Sequence, residues 1–199
     1  MEFKNKMKSI LPVIPYSQRD NTDDPSTKQN EKYVTCNVTS LATCLSAFGI
    51  KINPMEIFKL CNSPVYVEYA QKLHLEKFIE NKKLAQVWLI LEKAANEILM
   101  NNHLKIKARW GYFTFVDFVN KIDDGCPSMV GGLFTHGGHI VPITGYDGIG
   151  FDVCDPWGDW RTNYTEQNGA HVAYFYDKMR EILSKNDQGN FLGLIFDRH

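Results

Sequence analysis

The sequence predicts an α+β domain whose front half is helical and whose back half is an antiparallel sheet. Three observations carry this expectation. Apolar residues recur at helical spacing through much of residues 36–101, and three short strand-like runs with glycine-bearing turns between them fill 128–154. The side chains fit for chemistry are divided between the halves: a cysteine at a helix start early, a histidine and an aspartate at strand ends late.

With 199 residues, 44% of them hydrophobic, the chain has apolar surface for one substantial core, and a single domain over 1–199 is expected. The 22 basic and 23 acidic side chains leave a formal charge of −1, which offers no footprint for a polyanion, so nucleic acid is not expected as a partner. Lys4, Lys6 and Lys8 resemble the start of a secretion signal, but the apolar stretch over 9–15 is too short and too broken by proline to continue one. No apolar run reaches the roughly 18 residues of a membrane span. Synthesis in a cytoplasm, with no membrane partner and no cofactor, is therefore expected. The five cysteines, at 36, 44, 61, 126 and 154, are odd in number and form no C-x-x-C pair, which favours thiols over a disulfide framework.

Residues 10–16 read as a short extended strand that its prolines confine to a sheet edge. An almost wholly polar loop over 21–32, expected to be exposed, delivers the chain to Thr35-Cys36. A helix begins there, with Leu41, Leu45 and Phe48 at helical spacing and Gly49 closing it. Asn53-Pro54 reads as the cap and first position of a second helix over 55–61. From 67 to 101, stripes formed by Leu73, Phe78, Leu84, Val87, Leu91, Ala94, Ile98 and Leu99 predict two helices parted near Asn81-Lys82-Lys83, a solvated layer over the core. A strand is expected over 104–110 and a helix capped by Thr114 over 114–122. Runs over 128–134, 139–146 and 150–154, separated by tight turns, predict an antiparallel meander. A helix around 174–184 and a last strand over 191–196 that closes the sheet complete the reading.

A cysteine taken alone is more often a small buried residue than a nucleophile, and Cys44, Cys61, Cys126 and Cys154, in apolar contexts, are read so. Cys36 differs in its place. At a helix N-terminus, unpaired backbone N–H groups and the positive end of the dipole favour a thiolate. A nucleophilic thiol needs a base, and the base needs something to orient it. His139 heads a strand directly after Gly137-Gly138, and Asp155 ends the neighbouring strand sixteen positions later. A hairpin turning at 147–150 brings both to one edge of the sheet, so the carboxylate can take one ring nitrogen while the other faces Cys36.

Four segments together resemble a known family. They are Tyr16-Ser17-Gln18-Arg19-Asp20-Asn21, the run from Thr35-Cys36 to Ala42, Gly138-His139-Ile140-Val141 through Gly145-Tyr146-Asp147, and Asp155-Pro156-Trp157-Gly158. Over roughly residues 12–160 they look like the double-glycine (bacteriocin-processing) peptidase-like branch of the papain-like cysteine peptidases. The resemblance implies a papain-like fold in which a helix carries the thiol and a sheet the base. It also implies Cys36 as nucleophile, His139 as general base, Asp155 as its orienter and Gln18 as a side-chain donor to the oxyanion. The chain departs from the common pattern twice. Asn37 stands where many members have glycine, and Gln18 lies 18 positions before the cysteine, farther than in many members.

These readings point to a cysteine peptidase or amidase acting on a peptide, either a phage-type endolysin that cuts peptidoglycan peptides and is released to the cell wall, or an intracellular protein or leader-peptide protease. A catalytically silent binding module of the same fold is one alternative. Another is a metal hydrolase built on His136, His139 and Cys154 or Asp155, although an H-x-x-H spacing on a glycine turn is not a helical ligand pair. His74, His103, His171 and His199 are read as surface or structural, and Trp157, Trp160 and Tyr164 as cleft lining or packing.

Overall fold

The structure, a computed structural model, describes residues 8–21 and 33–199. The basic residues Lys4 and Lys6 and the polar loop expected over 21–32, apart from Asn21, lie outside the described residues. At the centre is a seven-stranded antiparallel sheet formed by β1 (Ser9–Ile10), β2 (Ile106–Phe113), β3 (Ser128–Gly132), β4 (His139–Tyr146), β5 (Gly150–Val153), β6 (Val172–Phe175) and β7 (Phe191–Arg198). Their order is β2-β7-β3-β4-β5-β6, and β1 pairs with the far end of β4 beyond the reach of β3. Helices α1 (Cys36–Ser46), α2 (Pro54–Cys61), α3 (Pro64–Lys72), α4 (Glu76–Glu80), α5 (Trp88–Asn101), α6 (Phe115–Asp123) and α7 (Tyr176–Ile182) surround it.

The two faces of the sheet are covered by different helices. On one, Leu41, Leu45, Ile57, Leu91 and Ala94 from α1, α2 and α5 meet Met129, Leu194 and Phe196. On the other, Phe118 and Val119 of α6 and Met179 of α7 meet Val141, Phe151 and Ile195. Each fully buried Leu or Phe here contributes roughly 1.5–3 kcal/mol of hydrophobic stabilisation. α1 has no charged residue and is buried from Asn37 to Ser46, the mark of an internal helix, and it packs along β4.

Local chemistry explains where the elements begin. The Asn53 side chain accepts from Met55 N–H at 2.8 Å with Pro54 in the first turn of α2, and Thr114 and Asp117 form a reciprocal capping box at α6. The expected strand over 10–16 is shorter than the sequence suggested. Pro12 and Pro15 have no N–H to give a ladder, so past Leu11, whose N–H still donates to the Thr144 carbonyl of β4, the chain is held by α1 instead: Ile14 N–H donates to Ser46 Oγ and Tyr16 N–H to Thr43 Oγ1.

Three further expectations need correction. The block over 67–101 is not two helices: α3, α4, a 3-10 turn at Leu84–Gln86 and α5 replace them, with breaks where His74 and Lys82 take left-handed backbone conformations. The C-terminal helix does not begin near 174: residues 172–175 pair with β5 as β6, so α7 starts only at Tyr176. The last strand does not close an edge of the sheet. β7 lies inside it between β2 and β3, and at Gly193 the backbone of β3 comes so close that a Cβ would stand 2.5 Å from the Met129 carbonyl oxygen.

Candidate active site

Cys36 is the first residue of α1 and is partly exposed, whereas the rest of the helix is buried. Its surroundings hold the helix start firmly. Asn21 Nδ2 donates to Thr35 Oγ1 at 2.7 Å and to Thr39 Oγ1 at 3.0 Å, and Thr39 Oγ1 donates back to the Thr35 carbonyl. Asn37 is buried, and its side-chain amide donates to the Ala85 carbonyl, tying the first turn of α1 to the 3-10 turn at 84–86. That bridge is what asparagine supplies where many members of the resembled family have glycine.

His139 begins β4 opposite Gly132 and is buried. The register between helix and strand is pinned one residue later, where Ser40 Oγ donates to the Ile140 carbonyl at 2.9 Å. The imidazole is thereby set against the thiol: the His139 ring and the backbone N–H groups of Ile140 and Asn37 face Cys36 and favour its thiolate. Nε2 of His139 lies 2.7 Å from Asp155 Oδ1, which leaves Nδ1 as the nitrogen facing Cys36.

Asp155 follows β5, where the hairpin expected from the sequence returns the chain to the start of β4. Its buried carboxylate is fully occupied. Oδ1 accepts from His139 and, at 2.9 Å, from Trp157 N–H; Oδ2 accepts from Tyr174 Oη at 2.7 Å and, at 3.5 Å, from Tyr164 Oη. Tyr174 is itself held by Trp160 N–H, which donates to its oxygen.

The charges follow from this geometry. Burial alone pushes the Cys36 thiol up, but the adjacent His139 ring and the two backbone N–H groups outweigh it and hold the pKa below the ordinary thiol value. Burial likewise pulls His139 down, and Asp155 and Cys36 together carry it the other way, to about 10. The arrangement favours a thiolate–imidazolium pair. Cys154, by contrast, is pushed up to about 11 by burial, and Cys44 is also raised by burial.

Gln18 is buried in a short 3-10 turn (Gln18–Asp20) that is bracketed from both sides. On one side its N–H donates to the Pro156 carbonyl, Arg19 Nε donates to the Trp157 carbonyl and the Arg19 guanidinium stacks 3.7 Å from the Trp157 ring centroid. On the other, Asn21 reaches the start of α1. Gln18 is thus held between the cysteine helix and the aspartate loop. Trp157 serves as a bracket against Arg19 and Tyr33, whose ring centroid lies 5.2 Å away.

A cleft of about 540 Å³ opens beside Cys36 and His139. Tyr33, Asn37, Lys83 and Trp88 border it from the helical side, and the backbone of Gly131, Gly132, Gly137 and Gly138 from the sheet side. His136 is exposed and faces a separate depression with Trp160 and Tyr164. The set His136, His139 and Cys154 or Asp155 does not converge, because His139 is committed to Asp155 and Cys154 lies against His171 instead. Sequence reasoning missed the tyrosine support of Asp155. Its only trace is a tyrosine in the otherwise apolar run 172–175, and no local spacing links it to residue 155.

A family model described as the Peptidase_C39 like family matches residues 10–183. The fold is similar to the crystal structure of a Bacillus anthracis protein classed as a C39-like peptidase, with a TM-score of 0.58 at 15% identity over 98% of this chain and 99% of that one. No curated protein matches the chain. Among the described residues, no helix is long and apolar enough to cross a membrane.

Proposed function

Since the chain belongs to the Peptidase_C39 like family, we propose that it is a cysteine peptidase hydrolysing amide bonds of extended peptides, with Cys36 as nucleophile, His139 as acid and base, Asp155 as orienter and Gln18 as oxyanion donor. The observation that carries the reading is the continuous relay from thiol to imidazole to buried carboxylate, in which each ring nitrogen of His139 serves a different partner.

In this mechanism the Cys36 thiolate attacks the amide carbonyl carbon and the carbonyl π electrons move to oxygen. The oxyanion is held by the Gln18 side-chain amide and Cys36 N–H. The C–N bond then breaks as His139 gives its proton to the leaving amine, leaving a thioester. Water, deprotonated by His139, attacks the thioester, and the carboxylic acid departs as the thiolate is restored. Asp155 keeps the imidazole in the orientation both transfers need, and Tyr174 and Tyr164 hold Asp155.

For the substrate we propose a peptide with small residues at the scissile bond, because four glycines line the sheet side of the cleft and Trp88 stands over Gly131, 3.2 Å from where a Cβ there would lie. Both a peptidoglycan stem peptide, as a phage-type endolysin would cut, and a protein leader peptide have this chemistry. The first test is intact-mass labelling with limiting iodoacetamide across pH 5 to 9. Fast single-site modification of Cys36 well below the ordinary thiol pKa of ~8.5, slowed in His139→Ala, is the expected result. Turnover of purified peptidoglycan against glycine-rich leader peptides then assigns the substrate. If Cys36 reacts no faster than the buried thiols, the chain is a silent binding module of this fold.

A further inference from the structure

A second group of cysteine, histidine and aspartate lies outside the site described. β5 and β6 pair so that Val153 is opposite Val172, which sets Cys154 opposite His171. Strand alternation sends Phe151 and Val153 into the core beneath α6 and α7, and Asp152 and Cys154 to the other face of the sheet. The register shift in β4 between Ile143 and Gly145 turns Thr144 toward the same spot: its hydroxyl donates to Asp152 Oδ2 at 2.8 Å and is 3.6 Å from Cys154 Sγ. His171 Nδ1 lies 2.8 Å from Asp152 Oδ2 and 3.9 Å from Cys154 Sγ. These three candidate ligand atoms are all within 4.8 Å of one another.

The way they meet separates this group from a relay. In a nucleophile–base–acid chain the thiol and the carboxylate use different ring nitrogens, as they do at His139. Here both face the same nitrogen, Nδ1, as ligands do around a shared centre. His171 keeps a left-handed backbone (φ 54°), uncommon for a residue with a side chain, while its ring presents Nδ1 to the pair.

We propose that Asp152, Cys154 and His171 bind one thiophilic divalent cation of the Zn²⁺ type. The donor set decides the class. A thiolate, an imidazole nitrogen and a single carboxylate oxygen are Zn²⁺ ligands, whereas Ca²⁺ takes six to eight oxygens and Mg²⁺ six, mostly oxygen and water. Three protein ligands leave a fourth position, which the half-exposed His171 places at the solvent side. Thr144 fixes the carboxylate by donating to Oδ2, the oxygen that faces His171, as supporting hydrogen bonds do at such centres. The two ligand-bearing strands are paired, so the atoms are placed before the ion arrives. This inference does not depend on the peptidase reading.

The test uses the full chain carrying Cys36→Ala, so that the thiol of the candidate active site cannot contribute, stripped of metal with EDTA and dialysed. Titration with Co²⁺ should give a thiolate-to-cobalt charge-transfer absorption saturating at one equivalent, and Zn²⁺ should abolish it by competition. Adding Cys154→Ser should remove the band. His171→Ala, an exposed change that leaves the strands paired, should weaken Zn²⁺ binding by more than the roughly 10–100-fold typical of losing a supporting residue. It should also cancel the rise in Tm that Zn²⁺ gives the parent. A parent that binds neither ion, or a band or Tm rise that survives His171→Ala at full strength, overturns the assignment.

Discussion

Among the described residues the trio cysteine, histidine and aspartate comes together twice, and the two copies are arranged differently. At Cys36, His139 and Asp155 the thiol heads a helix, two backbone N–H groups and the imidazole face it, and its pKa is lowered. At Cys154, His171 and Asp152 the thiol follows a strand, and burial above all, with the Asp152 carboxylate adding to it, pushes its pKa up to about 11. Residue type is the same in both. What differs is which atoms face the sulfur, and whether the histidine shares one nitrogen or divides two.

The largest effect should come from breaking the first trio at its sulfur. Cys36→Ala should lower hydrolysis by at least ~10³-fold and abolish fast iodoacetamide labelling, while far-UV circular dichroism stays unchanged. His139→Ala should cost about 10²–10⁴-fold in kcat/KM and move the onset of Cys36 labelling up toward that of a free thiol. The pH profile sharpens the contrast between the two sulfurs. Because the Cys36 pKa is lowered and His139 is raised to about 10, labelling of Cys36 should already proceed below the pH at which free thiols ionise. Hydrolysis should fall as the pH rises toward 10 and the imidazolium loses the proton it gives to the amine. Cys154 should stay unlabelled across the same range.

Smaller effects test the support of Asp155. Tyr174→Phe removes a 2.7 Å hydrogen bond to a buried carboxylate. A bond of that kind is worth roughly 1.5–3 kcal/mol, so turnover should drop about tenfold and the alkaline limb of the profile should move. Tyr164→Phe removes a contact of only 3.5 Å and should change turnover by no more than about twofold. Unchanged turnover in both variants would mean that the tyrosines act only through packing, since phenylalanine keeps the ring.

Much of this was legible in the sequence, and the reason is locality. The α1 start, the Asn53-Pro54 cap and the Thr114 cap are written in adjacent residues, and the 139–155 hairpin needs only one turn to bring its ends together. Failures occurred where pairing decides. Residues 174–184 carry an amphipathic pattern that reads as one helix, and only the partner strand β5 turns Tyr174 and Phe175 into the end of β6. The apolar run 191–196 looks like any buried strand, and nothing in it says that it enters between β2 and β3 rather than at an edge. The break at His74 carries no glycine to announce it, whereas the one at Lys82 falls where the sequence parts its helices at Asn81-Lys82-Lys83. The Asp152–Cys154–His171 group was invisible for the same reason, since it exists only through the β5–β6 register.

The position of β7 also has a temporal side. Because this strand joins β2 to β3, the part of the sheet that backs α5 and the part that carries His139 are not continuous until residues 191–198 have been made. Such late, sequence-distant pairing is slow compared with helix formation. The helical half can therefore collapse while the chain is still being synthesised, but the continuous sheet that supports the cleft completes afterwards. A chain assembled in this order has no finished groove while its own unfolded polypeptide is the nearest peptide within reach.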